Sequence, residues 1–254
     1  MPLLSVHDRD ELAGLLGGDP ALHAYQLGDL DDFFWPYTCW YRLDDAVALV
    51  YHGGGLPVLL AFDRRPGSSH ALLAALAPLL PQRFYAHLSA GAEQVFAEGF
   101  DATPGGPHLK LALADHAALN AAEPLGEVLG PADLAEVLAL YEVAYPGNWF
   151  DARMLETGQY VGVRRDGALL AVAGVHVWSP KYRVAALGNV TTHPAARGQG
   201  LARGAVAALC RRLLDTVDHV TLNVKADNAA ALALYTRLGF TRAAEYGEFT
   251  FTAR

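Results

Sequence analysis

From Gly130 onward, apolar residues recur with two alternating periods. Pro131-Ala132-Asp133 opens a segment in which Leu134, Val137, Leu138 and Tyr141 lie three to four residues apart. That spacing predicts a helix to about Ala144, stopped by Pro146-Gly147-Asn148. A short helix over Asp151–Thr157 ends at Gly158. Tyr160–Arg164 and Leu169–Trp178 read as strands joined at Asp166-Gly167, and Arg183–Thr192 as a third strand. A helix from about Gly198 to Leu214 carries Ala202, Ala205, Val206, Leu209 and Leu213 on one face. Val220, Leu222 and Val224 alternate with Thr221 and Asn223, the period of a strand. Asn228–Leu238 reads as a helix, and Thr241–Thr252 as a terminal hairpin. The order α-α-β-β-β-α-β-α-β-β predicts a mixed, mostly antiparallel sheet flanked by helices.

The first half is less regular. Ala46–Val50 and Leu56–Phe62 read as strands around the turn His52-Gly53-Gly54-Gly55. Ser69–Leu80 and Ala90–Glu98 read as helices, Arg83–Leu88 and His108–Ala114 as strands. Tyr25–Trp40 holds Asp29, Asp31 and Asp32 with Phe33, Phe34, Trp35, Tyr37 and Trp40; the acidic group could attract a cationic amine, but solvated charge is its expected state. Asp115–Gly130 mixes Ala, Asn, Glu, Pro and Gly, and the domain boundary is expected there. The expected division is an N-terminal α/β domain over residues 1–120 and a second domain over 128–254.

The segment Thr191-Thr192-His193-Pro194-Ala195-Ala196-Arg197-Gly198-Gln199-Gly200-Leu201-Ala202 carries the most chemistry. A strand runs into a Gly-rich turn that opens a helix. The first turn of a helix has free N–H groups and the positive end of its dipole, and glycines let a ligand approach the backbone. That combination suits a pyrophosphate, with Arg197 and Arg203 as further donors. An ordinary strand-turn-helix packed through its glycines has the same pattern. The Lys-Ser/Thr ending of a phosphate loop and the spacing of a dinucleotide fingerprint are both missing. About thirty residues on, Asn228, Ala231, Tyr235, Gly239 and Phe240 recur in the order Asn-x-x-Ala-x-x-x-Tyr-x-x-x-Gly-Phe.

These two segments resemble the coenzyme A-binding core of the GNAT superfamily of N-acetyltransferases. Arg197, Gly200 and Ala202 match its Arg/Gln-x-x-Gly-x-Gly/Ala signature, and the later segment its second signature. The resemblance covers roughly the second half. The first half is compatible with a degenerate copy of the fold, as in the two-lobed glycine acyltransferase-like group, or with an unrelated α/β domain. The resemblance implies acetyl-CoA as cofactor and direct attack of an amine on its thioester. It implies cofactor contacts at Asn189, Val190, Thr191, Thr192, Arg197, Gly198, Gln199, Gly200, Leu201, Ala202, Arg203, Asn228, Ala231 and Tyr235. Tyr235 would protonate the departing thiolate. Many relatives carry a glutamate on the strand before the turn, yet Arg183–Thr192 contains no acid. His176 on the neighbouring strand is the expected base, ahead of Glu142, Glu156 and Glu248. Tyr145, Asn148, Trp149 and Phe150 would line the acceptor cleft or form a packing cluster.

Charge narrows the partners. The net charge is −8, which disfavours nucleic acid. Residues 1–126 hold 6 Lys and Arg against 15 Asp and Glu, and residues 127–254 hold 13 against 12, so an anionic cofactor should prefer the second half. The N-terminus lacks a secretory pattern, no apolar run approaches ~18 residues, and only Cys39 and Cys210 occur. A cytoplasmic monomer or homodimer without membrane partner or metal is expected. The expected acceptor is the primary amine of a small molecule or amino acid. The alternatives are a protein or peptide amine, or a non-catalytic CoA-binding regulatory module.

Overall fold

The computed structural model describes residues 2–254. The chain forms two compact units. One comprises Met1–Lys110, Val224–Asp227 and Arg242–Arg254, the other Leu111–Asn223 and Asn228–Thr241. In chain order the elements begin with β1 (Leu4–Val6), α1 (Arg9–Leu16), α2 (Pro20–Gly28), β2 (Thr38–Leu43), β3 (Ala46–Tyr51) and β4 (Val58–Ala61). They continue with α3 (His70–Leu76), β5 (Arg83–Leu88), β6 (Phe100–Leu113), α4 (His116–Asn120), β7 (Glu127–Leu129) and α5 (Leu134–Ala144). The remainder are β8 (Tyr160–Arg165), β9 (Ala168–Ser179), β10 (Val184–Thr192), α6 (Leu201–Leu214), β11 (His219–Lys225), α7 (Ala229–Arg237) and β12 (Phe240–Ala253). No helix among the described residues is long and apolar enough to cross a membrane.

In the first unit the strands run β1-β2-β3-β4-β5-β12-β6. The turn at 52–55 joins an antiparallel hairpin, whereas β4 and β5 are parallel with α3 between them. Alternation gives this sheet two unlike faces. Val50, Leu59, Phe84, Ala86, Leu88 and Phe251 build one with Leu72, Leu73 and Leu76 of α3. Phe84 and Phe251 are register partners and stack with centroids 5.0 Å apart. Each such buried ring contributes about 1.5–3 kcal/mol. The opposite face receives the intervening residues, Tyr85 and His87 on β5 with Glu248 opposite His87 on β12.

Several expectations change here. β1, α1, α2 and β2 have no counterpart in the sequence reading. Both helices are short, eight and nine residues, and are started by Asp8 and Asp19 caps rather than by a long periodic face. Ala90–Glu98 is only a 3-10 turn over Ala92–Phe96, entered through left-handed Gly91. The terminal hairpin is absent. β12 is one strand of 14 residues, and at Gly247 within it the Phe249 ring fills the space that a Cβ would take. Asp29 is 4% exposed and its carboxyl is pushed well up by burial, so it is not a solvated charge. Asp32 does pair with Arg9 at the surface.

In the second unit the strands run β11-β10-β9-β8-β7. Asp166 and Gly167, both at positive φ, form the β8–β9 turn, as a two-residue hairpin requires. Leu201, Val206, Leu209, Cys210 and Leu213 make the buried side of α6. Gly239 ends α7 at φ +90, and its carbonyl accepts from the amides of Ala114 and Asp115 at 3.0 Å each. A Cβ there would lie 2.1 Å from the Asp115 carbonyl oxygen. Gly239→Ala should therefore destabilise the fold by at least ~2 kcal/mol, combining positive-φ strain with a backbone clash. Urea unfolding reads this, and an unchanged midpoint would contradict it.

Candidate active site

β10 supplies the irregularity on which the site depends. It pairs in parallel with β11 only from Val184↔His219 to Leu187↔Leu222. Beyond that point the β10–β9 ladder shifts register between Gly188 and Thr191. Asn189 sits at φ +55, left-handed for a residue with a side chain. Two buried tyrosines hold it there. The Tyr141 hydroxyl donates to the Asn189 carbonyl at 2.9 Å, and Asn189 Nδ2 donates to Tyr160 Oη at 3.1 Å. Tyr160 in turn donates to the Val175 carbonyl at 3.1 Å. Burial pushes both phenols up, so they stay protonated donors. Phe150 packs between them, 5.1 Å from Tyr141 and 5.8 Å from Tyr160.

Two glycines make room for this arrangement. A Cβ at Gly174 would strike the Tyr160 ring at 2.2 Å, and one at Gly188 the His176 ring at 2.1 Å. Half-buried His176 therefore lies directly against the β10 backbone one residue before Asn189. Sequence reasoning missed Tyr160 altogether and took Tyr141 only as part of a helix face. Glycines inside a strand pattern mark close approach and were the available signal.

The turn after β10 is open. His193 starts a 3-10 turn over Pro194–Ala196, and Gly200, at φ +77, caps α6 without any side-chain hydrogen bond. Gly198 is also at φ +77, and a Cβ at either glycine would meet nothing within 4 Å. The first amides of a 14-residue helix thus face unfilled space, an arrangement that attracts an anion. Arg197 donates to the carbonyls of Thr192 at 3.3 Å and Ala144 at 3.4 Å, tying the turn to the end of α5. Gln199 accepts from Arg165, and Arg203 is exposed.

α7 brings the second motif. Asn228 caps its own helix, Oδ1 accepting from the Ala231 amide at 3.1 Å. Tyr235 is 7% exposed and packs edge-on against Phe240 at 5.7 Å. Burial pushes its phenol up, with Cys210 and Tyr145 acting in the same direction. Its hydroxyl forms no hydrogen bond to another described residue. Of the cleft candidates, Phe150 packs inward, whereas Tyr145 and Trp149 are 45% and 49% exposed. Glu142 and Glu156 are exposed, and Glu248 lies in the first unit.

Residues 132–240 match a family model described as the acetyltransferase (GNAT) family. A mycothiol acetyltransferase from Amycolatopsis mediterranei is 38% identical over 101 residues, covering 37% of this chain and 32% of that protein. The chain thus matches about a third of the length of that curated relative. Among solved structures, a Drosophila protein superposes with a TM-score of 0.70 at 16% identity, over 98% of each chain. A GNAT-family acetyltransferase from Colwellia psychrerythraea superposes at 0.60 and 15% identity, over 99% of this chain and all of the other. At these identities the structures speak for the fold alone. Residues 132–240, the stretch that holds the interrupted β10 and the open turn before α6, are thus similar to the GNAT family of acetyltransferases.

Proposed function

We propose that this chain transfers the acetyl group of acetyl-CoA to the primary amine of a small molecule or amino acid by direct attack. The observation that carries this is the open, uncapped start of α6 beside a β10 that parts from β11 after Leu187. The residues present fit the cofactor's demands. Free amides and two glycines without neighbours suit a pyrophosphate, and the end of β10–β11 pairing at Leu187 leaves the β11-facing edge of Asn189–Thr192 for the pantetheine arm.

Acetyl-CoA supplies the acetyl group already activated as a thioester. Gly198, Gln199, Gly200, Leu201 and Ala202 would hold the pyrophosphate through their amides, with Arg203 adding charge. Arg197 keeps the turn in shape through its two carbonyl contacts. The backbone at Asn189 and Val190, held through Asn189 by Tyr141 and Tyr160, would supply N–H groups for the negative charge on the acyl oxygen. His176 takes a proton from the attacking amine, because a neutral imidazole nitrogen can accept at physiological pH. Tyr235 would give its proton to the thiolate. Asn228 and Ala231 shape the start of α7 against the cofactor.

Acetyl-CoA should raise the melting temperature, since a ligand of the native state at a hundred times its Kd stabilises by about 2.7 kcal/mol. Mass spectrometry of products from acetyl-CoA and a pooled library of small amines, amino acids and peptides tests the reaction. Acetylated small amines with free CoA support the reading. Acetylated peptides alone would move the acceptor class to protein termini. Tight binding without any product would make the chain a CoA-binding module, and no melting shift at millimolar acetyl-CoA would refute the assignment.

A further inference from the structure

Asn223 is a polar side chain that the sheet leaves unmatched. It lies in β11 between buried Leu222 and Val224, and is itself half-buried. Its Nδ2 is buried and hydrogen-bonds to no described residue. Thr221, two positions earlier and so on the same face, donates to the Ala185 carbonyl of β10 at 3.3 Å. The ladder explains the difference. Pairing of β10 with β11 ends at Leu187↔Leu222, and Asn223 is the first β11 residue beyond it. A buried donor without an acceptor costs free energy that an apolar residue would not.

The register also shows what stands beside Asn223. Carried on by one residue, it sets Asn223 against Gly188. Leu187 and Leu222 are partners on one face, so the Cβ that Gly188 lacks would point to the other, with the Asn223 side chain. The His176 ring lies in that direction, 2.1 Å from where the Cβ would be. Gly188 pairs with Gly174, whose missing Cβ points the same way and would meet the Tyr160 ring at 2.2 Å. Tyr160, His176 and Asn223 thus share one face over neighbouring strands, beside left-handed Asn189. Paired strands lie about 4.8 Å apart, so the Asn223 amide stands at the place where β10 and β11 part.

We propose, resting on the acyl-transfer reading, that Asn223 Nδ2 donates a hydrogen bond to the thioester carbonyl of acetyl-CoA, as a side-chain partner to the Asn189 and Val190 amides. Attack by the amine nitrogen moves the carbonyl π pair onto oxygen, and that charge strengthens the bond from Nδ2. The pair returns as the carbon–sulfur bond breaks and the sulfur leaves with its electrons. Asn223 keeps its protons throughout; the amine proton goes to His176, and the sulfur takes one from Tyr235. An uncharged donor already in place needs no reorganisation when the charge appears.

Calorimetric titration with acetyl-CoA and with CoA, which lacks the carbonyl, tests this on the whole chain. Asn223→Leu should weaken acetyl-CoA about three- to ten-fold, the worth of one hydrogen bond, and leave CoA affinity unchanged. The infrared band of the bound thioester carbonyl should rise in frequency, and kcat should fall about 100-fold or more. The variant should melt no lower than the parent, because it loses an unpartnered buried donor. Should it not fold, Asn223→Ala is read for the same split between the two ligands. Equal loss of both ligands, an unmoved carbonyl band, or a leucine variant that melts several degrees lower would make Asn223 a residue of the fold and overturn the proposal. A parent that binds neither ligand would sink the acyl-transfer reading and the proposal with it. A parent that binds both, with variants that match it, would sink the proposal alone.

Discussion

Gly200→Val should weaken acetyl-CoA binding at least ~100-fold, about 2.7 kcal/mol, while the protein still folds. The fold tolerates the change for two reasons. A left-handed backbone costs an L-residue about 1–2 kcal/mol, which a stability of about 5–15 kcal/mol absorbs. The new Cβ would also meet no atom of the chain within 4 Å, so nothing must move. Binding does not tolerate it, because that empty space is where an anion would approach the first amides of α6. A branched side chain at the cap position holds a phosphate beyond hydrogen-bonding distance. Arg197→Ala should cost less, since its guanidinium serves the Thr192 and Ala144 carbonyls and the helix start remains. Calorimetric titration beside a circular-dichroism melt measures both effects. A folded Gly200→Val protein with parental affinity would show that the glycines serve the turn and no ligand.

Tyr235→Phe should lower kcat at least ten-fold and leave acetyl-CoA affinity nearly unchanged. The ring is buried against Phe240, and phenylalanine keeps that packing. The hydroxyl bonds no described residue, so its removal strands no buried partner and the melting temperature should hold within a degree or so. What disappears is a phenolic proton, retained on Tyr235 through burial, that the departing sulfur would take. An interaction made only in the transition state appears in kcat, and general acid catalysis is typically worth ~10²–10⁴-fold. Steady-state kinetics with a CoA titration checks the split. Equal turnover, with chemistry shown to be rate-limiting, would reduce Tyr235 to a packing residue.

The second unit was largely legible from residue patterns. β8, β9, β10, α6 and α7 lie within a few residues of their expected bounds, because each is long and strongly periodic. The glycine-rich turn was legible for the same local reason, since positive φ at Gly198 and Gly200 leaves a composition trace. The start of the chain was not. Helices of eight and nine residues, one kinked at His23, carry too few apolar repeats to register. Nor did the pattern show that Asn189 turns left-handed, because Asn adopts that region without advertising it.

Residue order alone determined which segments are helices or strands in the second unit, where the glycine-rich turn lies, and that β10 carries no acid. All of these follow from interactions between residues a few positions apart. Partners distant in sequence were decided only by the tertiary structure. Tyr141 and Tyr160 meet at Asn189 across 48 and 29 residues. The last strand joins β5 and gathers Glu248 with Tyr85 across 163 residues. The hairpin expected there failed because strand pairing is chosen by the edge on offer and by which face buries, and neither is written in a local period.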